Sequence, residues 1–493
     1  MAMSAPTTAA VSLPLRETLT SLPPLPASSK DLRSQTRNEL LYSPNTPVLV
    51  ALDDDPTGTQ TCHDIAVLTS WSVPVLVSEF EQTTPGSGFF ILTNSRALHP
   101  PAARELMIEI CRNLKEAAEQ AGKTFEVVLR GDSTLRGHFP LEPEAVEEVL
   151  GKSDAWVIAP FFLQGGRYTI DDIHYVAEGD TLVPAGETPF ARDATFGFTS
   201  SHLADWVVEK SKGSITRDRI KGVSLVDIRE GGPDKIGNIL LDCAKGTVFI
   251  VNAATEEDID IFVRGILTPS AQGRKFLFRS AAAFVSARLG ISPIPPISAR
   301  QLRMDPSVGG LIIAGSYVPK TTAQLKYLIA QSGDKLVTVE LDVNKLLESE
   351  ATREDELRRA IDKSTRYIYY PKDVLIMTSR DLVLGADERS SLDIGSVVAA
   401  ALVSFLTRLD TKPRYVIAKG GITSSDMATK ALHMKRAMII GQAAAGVPLW
   451  QCDEPTSKWP GLPYVVFPGN VGGEDTLATV VERWRLPTPM NRC

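Results

Sequence analysis

The chain has 493 residues, of which 43% are hydrophobic and 23% are charged, and its formal net charge is -7. This length exceeds one ordinary domain, and the composition is that of a folded protein with an adequate hydrophobic core. The negative charge argues against an electrostatic nucleic-acid binder, which usually has a basic face. No apolar run is long enough to span a bilayer, so neither nucleic acid nor membrane is expected as a partner.

The cysteines and the N-terminus bear on the cellular compartment. The five cysteines are scattered, odd in number and without a CxxC pair, which indicates neither a disulfide framework nor a zinc site. The first residues lack the basic start and apolar block of a secretory signal. They are poor in acids, as in organelle transit peptides, but the first basic residue is Arg16. The cytoplasm is therefore favoured, and targeting of the tail to an organelle stays open.

The chain order begins with a predicted flexible tail at residues 1–45, which is Pro/Ser-rich around 22–29 and has no apolar period. Short apolar runs after it predict buried strands, and the segment 101–121 has the apolar spacing of an amphipathic helix. The predicted strands of this half are 47–52, 89–93, 125–129, 156–159, 223–228 and 248–251. Strands that alternate with helices predict a parallel sheet covered on both faces.

A proline-rich stretch at 289–306 is the best candidate for a linker between domains. We therefore predict one domain over 46–295 and a second over 296–493. The second half repeats the alternation, with predicted strands at 311–314, 374–378 and 415–418 and helices at 321–331, 392–409 and 424–432. The predicted fold class is α/β, with two domains that each contain a mostly parallel sheet flanked by helices. Ligands bind beyond the carboxyl ends of such strands, so we expect an active site in the cleft between the domains.

The first polar motif is DDDPTGTQ at residues 53–60, directly after a predicted strand. Adjacent buried carboxylates are costly unless they meet cations or hydrogen-bond donors. Asp54 and Asp55 could hold substrate hydroxyls, accept a proton or help to place a metal. A solvated acidic turn is the plain structural alternative.

Two further motifs supply cations. The segment RGDSTLRGH at 130–138 places Arg130, Asp132, Ser133 and Arg136 after another predicted strand, and Arg167 lies in GGRYT at 165–169. Arginine binds carboxylates in a bidentate manner, while Asp and Ser can hold hydroxyls. Loops stabilised by internal ion pairs are the alternative.

The second half contains three glycine-rich turns that join strands to helices. Such turns can present backbone N–H groups to phosphates, although helix caps and tight turns also use glycine. Neither the Walker nor the Rossmann fingerprint occurs at these turns. The candidate nucleotide-binding residues in them are Ser316, Gly420, Gly421, Ile422, Thr423, Gly469 and Gly472.

These motifs, in this order, resemble the four-carbon acid sugar kinase family. The resemblance rests on 53–60, 130–138, 165–169 and 187–193 in the first half, and on 315–316, Thr322, Gln324, 419–426 and 468–473 in the second. It implies a sugar-acid-binding N-terminal domain and a nucleotide-binding C-terminal domain. It also implies transfer of the γ-phosphoryl group of ATP to threonate, erythronate or an oxo relative. The loop departs from the usual family pattern at Pro56, Thr59 and Thr61, so it looks like a DDDPTGTQ branch whose substrate the resemblance does not assign.

The resemblance and the chemistry together predict roles for the site residues. Arg136, with Arg130 or Arg167, would hold the substrate carboxylate. The substrate hydroxyls would be held by Asp54, Asp55, Asp132 and Ser133, with Asp54 as the first choice for the base. Mg²⁺ would bridge phosphate oxygens with water and few protein ligands, and the ligating residues are left open.

Two alternatives remain at this stage. The pattern Asp53-x-Asp55-x-Thr57 after an apolar strand also fits a haloacid-dehalogenase-like phosphatase with Asp53 as nucleophile. That reading leaves the arginine cluster and the glycine-rich second half unexplained. A non-catalytic sugar-acid sensor is the other alternative. The oligomeric state, a homo-oligomer included, is also open.

Overall fold

The computed structural model describes residues 10–43, 46–315, 318–379 and 388–486, with only the helical backbone described at 388–393. The strands are β1 (Leu13–Pro14), β2 (Val48–Asp53), β3 (Ile65–Leu68), β4 (Gly88–Leu92), β5 (Phe125–Arg130), β6 (Ala155–Ala159), β7 (Arg167–Ile170), β8 (Ile173–Glu178), β9 (Thr181–Pro184), β10 (Ile220–Val223), β11 (Thr247–Val251), β12 (Phe276–Ser280), β13 (Leu311–Ala314), β14 (Leu336–Leu341), β15 (Asp373–Thr378), β16 (Val416–Lys419), β17 (Arg436–Ala444), β18 (Val447–Cys452) and β19 (Pro463–Phe467).

The α-helices lie between these strands and before β2. They are α1 (Leu15–Ser21), α2 (Leu32–Tyr42), α3 (Val73–Gln82), α4 (Pro100–Ala121), α5 (Leu141–Leu150), α6 (Leu203–Lys210), α7 (Leu225–Arg229), α8 (Gly232–Leu241), α9 (Glu256–Ala271), α10 (Ala282–Arg288), α11 (Pro319–Ser332), α12 (Val343–Glu348), α13 (Glu350–Tyr369), α14 (Glu388–Arg408), α15 (Gly421–Asp426) and α16 (Thr476–Arg483). A π-helical turn, Met427–Ala431, continues α15. Among the described helices, none is long and apolar enough to cross a membrane.

The chain divides into two compact units. Unit 1 contains Met1–Gly58 and Trp71–Ser292, and unit 2 contains Thr59–Ser70 and Pro293–Cys493. The predicted domain 46–295 included residues 59–70, which the structure places in unit 2. Segment Thr59–Ser70 joins unit 2 because β3 pairs with β17 in antiparallel register.

Unit 1 is built on a parallel sheet with the strand order β10-β11-β6-β12-β5-β2-β4. Strands β2, β4, β11 and β12 are buried at every position, which is typical of a sheet covered on both faces. Helix α4 packs an apolar stripe that includes Met107, Ile110 and Leu114, as its sequence period predicts. A small antiparallel sheet, β1-β9-β8-β7, completes the unit.

Unit 2 contains a mixed sheet with the order β3-β17-β18-β19-β16-β13-β15-β14. The strands from β19 to β14 are parallel, and those from β3 to β19 are antiparallel. Both units therefore contain the parallel α/β sheet that the sequence predicted. The antiparallel part of unit 2 was not predicted.

The predicted strand over 223–228 is wrong. Strand β10 ends at Val223, and α7 begins two residues later. Ser224 caps α7 through a capping box, in which its Oγ accepts from the Asp227 backbone N–H and the Asp227 carboxylate accepts from the Ser224 N–H. This local capping outweighs the β-branched character of the segment.

The predicted tail also differs from the structure, which has β1, α1 and α2 between Leu13 and Tyr42. Leu32 and Leu40 of α2 are buried, and the Arg33 Nε donates to Asp260 Oδ1 at 2.7 Å. Helix α2 packs on α9 through these contacts. The burial of α2 depends on contacts with the distant helix α9, which the local composition does not reveal.

Candidate functional site

The parallel sheet of unit 1 has a charged edge at the carboxyl ends of its strands. Strands β2, β4, β5 and β12 are neighbours, and a charged side chain lies at the end of each strand or within a few residues of it. We call this group the charged edge, and its members are Asp53, Asp54, Asp55, Arg96, Arg130, Asp132, Arg136, Arg167 and Arg279. The structure thus brings together the acidic and arginine motifs that lie far apart in the sequence.

Asp53, the last residue of β2, is the most deeply buried member of the charged edge. Its side chain is fully buried, and its Oδ1 lies 3.3 Å from Arg130 Nη1. A Cβ on Gly58 would come within 2.0 Å of Asp53 Oδ2, so the chain covers the carboxyl closely. Burial, only partly offset by Arg130, raises the pKa of Asp53 to about 8. At neutral pH Asp53 is therefore mainly a neutral, structural group.

Asp54 has the least satisfied carboxylate of the three. Both oxygens are buried and accept no hydrogen bond within the described part of the chain. Burial raises its pKa, while Arg96 and Arg130 act in the opposite direction. Arg96 Nη1 lies 3.9 Å from Asp54 Oδ1, and a Cβ on Gly137 would lie 3.2 Å from Oδ2. A small residue at position 137 therefore leaves room beside the carboxylate.

Asp55 is held in its ionised form. Burial opposes ionisation, but the Arg96 guanidinium and hydrogen bonds from Thr57 lower the pKa of Asp55 overall. The Thr57 backbone N–H donates to Asp55 Oδ1 at 2.9 Å, its hydroxyl donates to the same oxygen at 2.6 Å, and Arg96 binds the other oxygen. This carboxylate is fixed in place by its partners.

Asp132, two residues beyond β5, is also fixed and ionised. Burial opposes ionisation, yet Arg136 and Arg96 lower the pKa of Asp132 well below its usual range. Arg136 Nε donates to Asp132 Oδ2 at 2.7 Å, Arg96 Nη1 lies 3.5 Å from Oδ1, and Thr134 also donates to Oδ2. Arg96 thus links Asp54, Asp55 and Asp132.

Arg136 and Arg167 both lie against one aromatic ring. Their guanidinium carbons are 5.2 and 5.5 Å from the centre of the Phe190 ring. Arg136 is already paired with Asp132, whereas Arg167 has no ion pair or side-chain hydrogen bond among the described residues. Its Nε is buried without a partner, and burial together with Arg136 lowers the pKa of Arg167. An anion beside Arg167 would remove this cost.

Buried groups hold the loop after β5 in shape. Ser133 is nearly buried, and its backbone oxygen accepts from His174 Nε2 at 2.7 Å. Burial lowers the pKa of His174 to about 4, so this ring is neutral at physiological pH. His138 donates from Nε2 to the backbone oxygens of Ser95 and Leu98, both at 3.0 Å, and is therefore structural.

Three charged residues of this region were missed from the sequence. Arg96 follows β4, and the rule that strand ends carry site residues could have found it. Arg279 lies within β12, a strand that was not predicted, and its Nη2 donates to the Arg136 backbone oxygen at 3.0 Å. Glu142 accepts from Ser95 Oγ at 2.5 Å, and burial raises its pKa to about 7. No sequence signal marked Glu142.

Unit 2 has a second polar edge, formed by turns rather than by charged side chains. Strands β13, β16 and β19 are parallel, with Ala314 opposite Lys419 and Lys419 opposite Phe467. The turns that follow these three strands meet at one edge, which we call the glycine edge. Its described members are Gly315, Lys419, Gly420, Gly421, Ile422, Thr423, Gly469 and Gly472, whereas Ser316 lies outside the described residues.

Side chains from α11 hold the last of these turns. Gln324 Nε2 donates to the backbone oxygens of Val471 and Gly473 at 3.1 and 2.8 Å, and Thr321 Oγ1 donates to the Gly469 oxygen at 3.4 Å. A Cβ on Gly315 would lie 3.6 Å from Thr423 Oγ1, so these two turns are neighbours. The three predicted turns therefore form one local surface.

Glycine is required at two positions of this edge for different physical reasons. Gly420 has a φ of 107°, which only glycine adopts readily. Gly469 has no positive φ, and a Cβ on it would meet nothing within 4 Å. Neither backbone strain nor packing explains Gly469, so open space beside its backbone is what the glycine preserves. Ile422 is 72% exposed at the same edge.

Divalent metals need several oxygen or nitrogen ligands from one place. In the described ranges, no group of three or more His, Cys, Asp or Glu side chains is arranged to hold a metal ion. Protein carboxylates of the glycine edge therefore offer no ready metal cage. A metal held mainly by phosphate oxygens and water is compatible with this arrangement.

Two family models match the chain. The sugar-binding N-terminal domain matches residues 49–288, and the nucleotide-binding C-terminal domain matches residues 311–477. A D-erythronate kinase of Heliobacterium modesticaldum is 28% identical over 176 residues, which span 36% of this chain and 37% of that relative. The chain therefore aligns with little more than a third of the relative's length.

Solved structures share the fold at low sequence identity. A structure from Salmonella typhimurium LT2, described as a putative tRNA synthase, has a TM-score of 0.65 at 16% identity and covers 88% of this chain and 98% of its own. A Haemophilus influenzae protein assigned to a family of unknown function has a TM-score of 0.59 at 15% identity and covers 89% and 100%. These likenesses support the fold alone.

Proposed function

Since the chain belongs to the four-carbon acid sugar kinase family, we propose that it transfers the γ-phosphoryl group of ATP to a hydroxyl of a four-carbon sugar acid. One observation carries the proposal. Within the charged edge, the Nε of the partly exposed Arg167 has no hydrogen-bond partner, and neither do the two buried carboxylate oxygens of Asp54. A small molecule with both a carboxylate and hydroxyls satisfies each of them.

The carboxylate of the acid is assigned to Arg167, with Arg136 against the same Phe190 ring. Arg136 already has an ionic partner in Asp132. It would add positive charge beside the substrate carboxylate, but it needs that carboxylate less as a partner. Arg167 has no such partner in the described structure, and a bidentate carboxylate would supply its missing acceptors. Arg130 is paired with Asp53, which lies opposite it on the neighbouring strand β2.

The reacting hydroxyl is assigned to Asp54. Its raised pKa and empty hydrogen-bonding capacity suit a group that accepts a proton as the hydroxyl oxygen attacks phosphorus. The new O–P bond forms as the bond to the β-phosphate oxygen breaks, and ADP leaves. Asp55 and Asp132, fixed by Arg96, would orient the remaining hydroxyls together with Ser133.

The nucleotide is assigned to the glycine edge. Backbone N–H groups in glycine turns bind phosphates without steric hindrance, and the open side of Gly469 leaves the space such contact requires. Ser316, Gly420 to Thr423, Gly469 and Gly472 are the proposed contacts. Mg²⁺, when bound with ATP, neutralises charge that develops on the transferred phosphoryl group.

The substrate class follows from the family and from the acid on which the curated relative acts. We propose threonate, erythronate or their oxo forms, with the hydroxyl position still to be assigned. The test is an ADP-release assay with a panel of four-carbon acids, their 2-oxo and 3-oxo forms, and their neutral amides. Release of ADP with an acid but not with its amide is expected. Equal rates with acid and amide, or none with any member, would contradict the proposal.

The phosphatase alternative is disfavoured by the surroundings of Asp53. A nucleophile must reach its substrate, yet Asp53 is fully buried behind Gly58 and bears a raised pKa. A sensor that binds the acid without catalysis would satisfy Asp54 and Arg167 in the same way. The ADP-release assay also separates the sensor from the kinase.

A further inference from the structure

Lys419 is a buried cation at the centre of the glycine edge. It is the last residue of β16, and its register places it between Ala314 of β13 and Phe467 of β19. Its side chain is fully buried. A buried ammonium is costly unless it is paired with an anion, so its presence here requires an explanation.

The partners of Lys419 satisfy only part of its charge. Its Nζ donates to the Pro468 backbone oxygen at 2.5 Å and lies 4.3 Å from the centre of the Phe467 ring. An ammonium has three N–H donors, and no other acceptor or counter-ion for it occurs in the described structure. The bond to Pro468 ties the turn that contains Gly469 to the strand that leads into Gly420.

The charged groups on the surrounding elements do not neutralise it. Lys320 on α11 is also positive, and its Nζ donates to the Asn470 oxygen of the same turn at 3.3 Å. Asp426 of α15 is paired with Lys430 at 2.8 Å. Glu474 and Asp475 follow the turn before α16 and form no ion pair with Lys419. No acid in the described part of the chain therefore forms an ion pair with Lys419.

We propose that Lys419 is a positioning residue of the nucleotide site, whose charge holds the Pro468–Gly469 turn and is stabilised by the bound phosphates. The inference rests on the proposed nucleotide site in unit 2 and adds a regulatory property to it. Nucleotide binding and protonation of Lys419 are coupled, because a nearby anion favours the charged form of the amine.

The coupling has a definite sign. Burial, with a smaller contribution from Lys320, lowers the pKa of Lys419 to about 7. Below that pH the cation is already present, and the nucleotide binds without proton uptake. Above it, binding must take up one proton, so affinity falls by up to about tenfold per pH unit. This is the opposite of a purely structural lysine, whose protonation would not respond to ligand.

The experiment is calorimetric titration of the full chain with Mg²⁺-ADP from about pH 6.5 to pH 8.5, in two buffers of different ionisation heat. We expect the wild type to bind more weakly as pH rises and to take up protons at the higher pH. Lys419→Met should weaken binding by about tenfold or more and abolish both effects. Lys320→Met should move the pH dependence to higher pH, because one neighbouring positive charge has gone.

A matched control separates this role from general lysine chemistry. Lys458 also donates to backbone oxygens, those of Leu406 and Thr407, and lies 4.9 Å from the Trp459 ring centre, but it precedes β19 at the opposite end of that strand. Lys458→Met should leave affinity and proton uptake unchanged.

The outcomes distinguish the role of Lys419 from the existence of the nucleotide site. If the wild type binds Mg²⁺-ADP with no proton uptake and Lys419→Met binds as the wild type does, the role of Lys419 is wrong while the nucleotide site stands. If Lys419→Met does not fold, proton uptake by the wild type decides alone. If the wild type binds no nucleotide at any pH, the proposed function fails with it.

Discussion

The charged edge of unit 1 and the glycine edge of unit 2 solve different recognition problems at the same place in a parallel sheet. In unit 1, most arginines and carboxylates pair with one another, whereas both oxygens of Asp54 and the Nε of Arg167 have no hydrogen-bond partner in the described structure. In unit 2, backbone turns and one buried lysine form the surface. A ligand recognised by its particular hydroxyls and carboxylate needs fixed side chains, whereas phosphates can be bound by backbone N–H groups.

This difference predicts which step is impaired by substitutions at each edge. Substitutions at the charged edge should change turnover or selectivity for the acid and leave nucleotide affinity intact. Substitutions at the glycine edge should do the reverse. Five variants test this division.

The largest effect is expected for Asp54→Asn. Loss of the proposed proton acceptor should lower kcat by about 10²-fold or more, since general-base assistance typically contributes that much. Steady-state kinetics measure the loss, and calorimetry should find unchanged Mg²⁺-ADP affinity. Turnover close to that of the wild type would assign the base elsewhere.

A smaller effect is expected for Arg167→Lys. Lysine keeps the charge but cannot bind a carboxylate in a bidentate manner, so the KM for the acid should rise about tenfold, or 1.4 kcal/mol. Arg136→Lys is the matched comparison and should raise KM less, because Arg136 is already paired with Asp132. The reverse order would return the carboxylate to Arg136.

At the glycine edge, Gly469→Ala separates an effect on nucleotide binding from an effect on folding stability. The added methyl would meet nothing within 4 Å, so the melting temperature should stay unchanged. It would occupy space proposed for phosphate, and nucleotide affinity should fall by several-fold, up to about tenfold. Unchanged affinity in this variant would remove Gly469 from the site.

The smallest effect on activity is expected for Asp53→Asn, and it is accompanied by a gain in stability. The pKa of Asp53 is about 8 in the fold against 3.8 for the free side chain, so folding binds a proton between these values. Stability therefore falls as pH rises through this window, and asparagine removes that penalty.

The measurement for Asp53→Asn is thermal melting from about pH 4 to pH 8, with kcat determined beside it. The variant should gain in melting temperature over the wild type as pH rises, and it should retain most of its kcat. Loss of all activity would point to a nucleophilic Asp53.

Sequence patterns predicted many residues of both edges, because these residues directly follow strands that the sequence reveals. The DDDPTGTQ and RGDSTLRGH motifs directly follow apolar strands, and strand-end loops of parallel sheets converge. Arg96 and Arg279 were missed since neither lies in a dense polar motif, although Arg96 obeys the same strand-end rule. The assignment of Thr59–Ser70 to unit 2 depends on pairing between β3 and β17, which are more than 350 residues apart in the chain. Local patterns do not reveal such pairings.

The charge state of each carboxyl was likewise beyond the sequence. Asp53, Asp54 and Asp55 are adjacent and chemically identical, yet burial and Arg96 shift their pKa values in different directions. Their division into structural, reactive and fixed groups comes from the neighbours that the fold supplies.

The central claim is that phosphoryl transfer ends on a small acid and never on the protein. The most direct measurement follows the label from γ-labelled ATP, with Mg²⁺ and D-erythronate or another acid of the panel, in the wild type and in Asp54→Asn. We expect label in the acid for the wild type, little label in the acid for the variant, and none on Asp53 in either. Label bound to Asp53, or phosphate released from a sugar phosphate without ATP, would contradict it.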